Sequence, residues 1–211
     1  VTYSNVTNSK GIAYLKLNLA SGAYNMTYSF EGSNTYAPIS GTSSFSIYET
    51  VTSVSGNALW LFGKNMYSVD LDNLKNNGVN AIFLSYGAFS LYTKSAIESW
   101  ISTASSKGID VYIWMQILHE NGSFYNPVIS STGAINTTLL DSKVNDAITY
   151  ASTSGIKGVL LDYIRYEGNA YQYNGSTAAI NTFVSELTKA IKTVNSNLIV
   201  AGTIMPETTS G

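Results

Sequence analysis

Gly78-Val79-Asn80-Ala81-Ile82-Phe83, Gly108-Ile109-Asp110-Val111-Tyr112-Ile113 and Gly155-Ile156-Lys157-Gly158-Val159-Leu160 share one pattern. A glycine closes a helix, a β-branched residue follows, one polar residue meets water, and an apolar strand begins. That is the βα repeat of a parallel sheet. Working outward from these junctions, the sequence predicts strands over 59–62, 79–86, 109–118, 159–164 and 198–204. Helices are expected between them, at about 68–76, 93–106, 138–154 and 177–194. The second carries a capping box, Ser95 with Glu98, and an apolar stripe of Ile97, Trp100, Ile101 and Ala104. The fourth has Ile180, Phe183, Val184, Leu187 and Ile191 at helical spacing. Two architectures fit five such strands. One is a complete doubly wound domain. The other is the first part of a (β/α) barrel of TIM type, which normally takes ~250 residues. The reading adopted is the α/β barrel, truncated after about five βα units and occupying residues 57–211.

Residues 1–50 have a different period. Ile12-Ala13-Tyr14-Leu15-Lys16-Leu17-Asn18-Leu19 and Tyr24-Asn25-Met26-Thr27-Tyr28-Ser29-Phe30 alternate apolar and polar residues, as half-buried strands do. Glu31-Gly32-Ser33-Asn34 is a turn signal, and 42–48 reads as a last strand. This is a small antiparallel unit, joined to the barrel by a Thr/Ser/Val linker, 51–56. Gly11-x-Ala13, Leu17-x-Leu19, Gly22-x-Tyr24 and Tyr28-x-x-x-Gly32-x-Asn34-x-Tyr36 resemble the second half of a bacterial Ig-like domain. The resemblance implies a partial β-sandwich segment whose first strands lie outside the sequence, since a whole Ig-like domain needs ~100 residues.

Composition narrows the function. Charged residues make up 11% of the 211, and the net charge is −2 with no basic run. Nucleic acids and anionic membranes are poor partners for such a surface. No cysteine is present, which removes disulfides, thiol nucleophiles and thiolate metal sites. No apolar run is long enough to span a membrane. The chain begins inside an expected strand, stops just past another, and reads as a piece of a longer multidomain protein. Sequons at Asn5, Asn25, Asn121, Asn136 and Asn174 are permissive of export, though this composition yields as many by chance. An extracellular or cell-surface location is the expectation.

In both architectures ligands bind where strands end. Most carboxylates fall elsewhere. Asp70, Asp72, Asp141 and Glu98 fit first helical turns, and Asp110 lies at a strand start. Glu120, Asp162, Glu167 and Glu207 remain near strand tops, with the sole histidine, His119, and the sole arginine, Arg165. On the third strand Tyr112, Trp114, Gln116 and Leu118 should share one face, opposite Val111, Ile113, Met115 and Ile117. Trp114 with Gln116 suits a sugar ring, through stacking and amide hydrogen bonds, and suits an aromatic core layer equally well. One histidine and no Gly-x-Ser-x-Gly argue against a serine triad. Zinc hydrolysis lacks ligands, Asp70-x-Asp72-Asn73 is a poor calcium loop, and no phosphate-binding loop exists. Neither cofactor nor metal is expected. Chemistry that needs only carboxylates survives, with glycoside hydrolysis as the main case.

Leu161-Asp162-Tyr163-Ile164-Arg165-Tyr166 resembles the Asp-Tyr-[Ile/Val]-Arg-[Phe/Tyr] signature of glycoside hydrolase-like domains built on a TIM barrel. The likeness extends loosely through Ala58-Leu59-Trp60-Leu61 and Val111-Tyr112-Ile113-Trp114. It implies Asp162 as the catalytic carboxylate, nucleophile or general base, with Arg165 as its positioning partner. Glu167 stands where the family form has proline. Glu207 is the best acid partner in the sequence. Trp114, Gln116, His119, Glu120, Tyr163, Tyr166 and Glu167 are the expected substrate contacts. The Ig-plus-barrel pairing resembles adhesin-like surface proteins of bacteria and methanogenic archaea. It implies a domain acting on a wall or surface polysaccharide. The alternative is a non-catalytic adhesin or wall protein whose barrel binds carbohydrate or serves as scaffold.

Overall fold

A computed structural model of the chain describes residues 2–47 and 56–204. The chain divides into two compact units, Val1–Thr52 and Ser53–Gly211. Most of the expected linker, and Glu207, lie outside the described residues.

The first unit is a hairpin of β1 (Gly22–Phe30) and β2 (Ile39–Ile47). Its antiparallel register sets Tyr24 opposite Phe45, Tyr28 opposite Gly41 and Phe30 opposite Ile39. Tyr24 and Phe45 stack at 5.6 Å. A Cβ at Gly41 would collide with the Tyr28 ring lying across it, so the glycine makes room for the aromatic. The alternating stretch at residues 12–19 forms no strand. Alternation gives a face but no ladder: Ile12 and Tyr14 bond locally to Asn8 and Asn5, and no strand among the described residues pairs with the stretch.

The second unit is built on five parallel strands: β3 (Asn57–Leu61), β4 (Val79–Ser85), β5 (Asp110–Gln116), β8 (Gly158–Asp162) and β9 (Ile199–Gly202). Their order in the sheet is the order in the chain. Helices α1 (Leu71–Asn76), α3 (Lys94–Ser106), α4 (Thr137–Ala151) and α5 (Ser176–Val194) connect them. A short α2 (Ala88–Leu91) follows β4. A small hairpin, β6 (His119–Glu120) and β7 (Ser123–Phe124), follows β5. The three junction glycines adopt left-handed backbone, with φ of 82° at Gly78, 74° at Gly108 and 84° at Gly155. This is the conformation a helix-closing glycine supplies at little cost. The α3 cap is Thr93, whose hydroxyl accepts from Ala96 N–H. Ser95 and Glu98 form no capping box, and Glu98 accepts instead from Ser154 N–H.

The TIM-type barrel is overturned. β3 and β9 are the two edges of an open sheet and do not pair with each other. Neighbouring strands lie about 4.8 Å apart, so five make a sheet roughly 20 Å wide, too narrow to close round a packed interior as eight do. The doubly wound alternative needs a reversal of strand order, and there is none. With right-handed connections and no reversal, all crossovers cover the same face. That face is aliphatic: Leu61, Ile82, Leu84, Val111, Ile113, Met115, Val159 and Leu161 pack against Ile97, Ile101, Ala147, Phe183, Leu187 and Ile191 of the helices. The opposite face is aromatic, with Trp60, Phe83 and Tyr112 in one row. Among the described residues no helix is long and apolar enough to cross a membrane.

Candidate functional site

Strand parity puts Trp114, Leu160 and Asp162 on the aromatic face. Trp114 pairs with Leu160 in register, and Gln116 pairs with Asp162. The Asp162 backbone is held from both sides. Its carbonyl accepts from Ile117 N–H at 2.9 Å, and Thr203 N–H donates to the preceding carbonyl, of Leu161, at 3.0 Å. The carboxylate accepts from Trp114 Nε1–H at 2.8 Å on Oδ2. On Oδ1 it accepts from Tyr163 N–H at 2.8 Å and from the Thr203 hydroxyl. Donors from β5, from the strand's own end and from just beyond β9 thus fix its orientation.

Trp114 links this carboxylate to an aromatic shelf. Its ring meets Trp60 edge-on at 5.0 Å and Phe62 at 5.6 Å. Trp60 also lies 5.0 Å from Phe83. Trp60 is 43% exposed and Phe62 57%, whereas Trp114 is buried beneath them. A carboxylate therefore sits beside open aromatic rings at the carboxyl edge of the sheet.

The expected Asp162–Arg165 pair does not form. Arg165 turns to lie over Phe124 at 5.0 Å and Tyr163 at 5.2 Å, and its Nη1 donates to the Tyr166 carbonyl at 3.3 Å. A guanidinium is weakly hydrated and planar, so ring faces compete well for it. Tyr163 has φ of 54°, a left-handed value that is unusual for a residue with a side chain. Its ring stacks on His119 at 4.3 Å, and Phe124 meets His119 edge-on at 4.8 Å. His119 Nδ1 is buried there without a hydrogen-bond partner. His119, Tyr163 and Arg165 thus form one stack that anchors the β6–β7 hairpin on the loop after Asp162.

A second polar group surrounds Lys143 on α4. Its ammonium donates to Glu120 Oε2 at 3.0 Å, lies 4.0 Å from Asp146 and faces the Tyr125 ring at 5.8 Å. Lys143 is only 5% exposed. The Tyr86 hydroxyl reaches Gln116 Oε1 in a long hydrogen bond of 3.4 Å. Burial, and then the nearby Glu120 charge, push Tyr86 up to about 12. Burial also raises Tyr150, with Asp146 and Glu120 adding to the rise. Asp146 is raised by burial, which Lys143 opposes and Glu120 reinforces.

Of the expected substrate contacts, Trp114 and Gln116 line the Asp162 site, while Glu120 belongs to the Lys143 group. Tyr166 does not reach it. It is buried, donates to the Ser176 carbonyl at 3.2 Å and stacks on Tyr173, and burial raises its hydroxyl. Glu167 is exposed in the loop after β8 and makes none of the site's contacts. Sequence reasoning missed Thr203 and Lys143, and read Tyr86 as packing or rim exposure. Thr203 continues the alternation Ile199, Ala201 onto the Asp162 face. Lys143 interrupts the apolar stripe Leu140, Ala147, Tyr150 of its helix, which marks a buried lysine.

No family model matches the chain, and no curated protein does. A solved structure described as a cellulase–inhibitor complex is similar at 14% identity with a TM-score of 0.46. The alignment covers 76% of this chain and 52% of that one, so this chain spans about half its length.

Proposed function

We propose that the carboxyl edge of the aromatic sheet face binds a glycan, with Asp162 as the carboxylate that receives its hydroxyls. One observation carries this reading. Trp114 donates to Asp162 through its indole nitrogen while its ring abuts the exposed Trp60 and Phe62. Pyranose rings present both features such a place recognises: an apolar C–H face for aromatic stacking and equatorial hydroxyls for a fixed acceptor. The Ser-, Thr-, Asn- and Tyr-rich, charge-poor surface fits an extracellular wall or surface polysaccharide.

Calorimetric titration with cello-, chitosan- and galacturonate-oligosaccharides tests the reading. Binding by the wild type, lost in Asp162→Asn and weakened in Trp60→Ala, supports it. Binding that both variants retain contradicts it. Hydrolysis is the second reading, favoured by the fixed orientation of Asp162. Asp162 would attack the anomeric carbon as its bond to the leaving oxygen breaks; Glu207, the acid partner the sequence offers, would give that oxygen its proton and then take one from the water that releases the sugar. New reducing ends that appear with wild type and not with Asp162→Asn would support it. Binding without release of reducing ends would leave a binding module.

A further inference from the structure

Tyr163 follows β8 directly, and its N–H is given to the Asp162 carboxylate at 2.8 Å. The chain then leaves the sheet through the left-handed corner at Tyr163. A residue with a side chain holds such a corner only where its surroundings dictate it. Here they do. Leu118 N–H donates to the Tyr163 carbonyl at 3.2 Å. The His119 ring lies 4.3 Å from the Tyr163 ring and within 16° of parallel. Phe124 meets the same ring edge-on at 5.9 Å, and the Arg165 guanidinium lies over it at 5.2 Å. His119 works through its ring face, since its Nδ1 is buried without a hydrogen-bond partner. His119 and Phe124 are register partners in the β6–β7 hairpin. The hairpin therefore grips the residue whose N–H holds the carboxylate.

The orientation of Asp162 decides which oxygen is left for a ligand. A carboxylate has about four acceptor positions. Oδ1 accepts from Tyr163 N–H and from the Thr203 hydroxyl, whereas Oδ2 accepts from Trp114. The position left open is on Oδ2, the oxygen bonded to the indole that abuts Trp60 and Phe62. We propose that Tyr163 is a positioning residue for the glycan site. Clamped by His119, its N–H keeps Asp162 turned so that Oδ2 receives one sugar hydroxyl beside the aromatic shelf. His119 and Tyr163, expected as substrate contacts, then act through the carboxylate. This inference rests on the glycan reading above.

The test titrates wild type, Tyr163→Val, Tyr163→Gly, Tyr163→Phe, His119→Ala and His119→Phe with cello- and chitosan-oligosaccharides. The Trp114 indole N–H signal is recorded by nuclear magnetic resonance before ligand is added. Valine resists left-handed backbone, and glycine accepts it but brings no ring. Tyr163→Val, Tyr163→Gly and His119→Ala should each weaken binding about tenfold, the scale of one hydrogen bond to a charged group. They should also move the Trp114 signal, because its acceptor turns. Tyr163→Phe and His119→Phe keep the stack and should recover most of the affinity and the Trp114 position. Should Tyr163→Val fail to fold, Tyr163→Gly and His119→Ala carry the test. Wild-type affinity in those two, with Asp162→Asn still deficient, overturns the role of Tyr163 and leaves the glycan site standing. Lost affinity with an unmoved Trp114 signal overturns it too, since the stack would then act by a route other than Asp162. Absence of binding to every probe by the wild type removes both.

Discussion

The two faces of the parallel sheet are made of different residues. The helix face is aliphatic and closed: Ile82, Leu84 and Ile113 are fully buried under α3, α4 and α5. The other face carries Trp60, Phe62, Phe83, Tyr112 and Trp114, and its outermost rings remain open. Branched aliphatic side chains fill space densely and offer nothing to a ligand. Aromatic rings bury area while keeping flat faces and an N–H for use. The first face makes the fold, and the second is free to bind.

The comparison breaks first on stability. Leu84→Ala should cost about 2–5 kcal/mol, because the helix face cannot collapse into the cavity. Trp60→Ala should cost only about 1 kcal/mol, since much of the ring already meets water. Denaturant midpoints compare the two, and equal losses would erase the distinction between faces. Next comes the carboxylate. Trp114→Phe keeps the ring but removes the donor to Asp162, and should cost about 1.5–3 kcal/mol as a charged hydrogen bond is lost. Thr203→Val should cost somewhat less, because Tyr163 N–H still serves the same oxygen.

Alkaline pH probes the polar group at the sheet's edge. Tyr86 rises from an ordinary 10.0 to about 12, so the folded state keeps the proton longer than the unfolded state. Its stabilising effect is complete below pH 10 and is lost as pH climbs towards 12. Thermal melts should fall across that window, and less steeply in Tyr86→Phe. The smallest effect belongs to the surface. Removing the exposed Lys107–Asp72 pair should change stability by no more than about 1 kcal/mol, less in high salt.

Much of the parallel sheet was legible because its signals are local. Each junction glycine, helical stripe and buried strand announces itself within a few residues, and all five strands and the four long connecting helices form close to their expected positions. Closure is not local. Whether the first and last strands meet depends on strand number and tilt, which no junction motif encodes, and there the barrel reading failed. The site divides in the same way. Asp162, Trp114 and Gln116 follow from strand parity. Leu118 does not, because the strand ends at Gln116 and Leu118 turns into the helix-side core. Arg165 does not pair with Asp162, because proximity in sequence says nothing about competing partners, and Phe124 and Tyr163 take it. Thr203 and Lys143 reach their partners across 41 and 23 residues respectively.

The chain has three tryptophans, one on each kind of surface the account distinguishes. Trp60 lies open on the aromatic face, Trp114 is bonded to Asp162, and Trp100 is buried in the helix-side core. Their indole N–H signals can be followed by nuclear magnetic resonance during titration with a neutral oligosaccharide. The account predicts that Trp60 and Trp114 shift together and saturably while Trp100 stays in place. A titration that leaves Trp60 and Trp114 unmoved, or moves Trp100 equally, would contradict it.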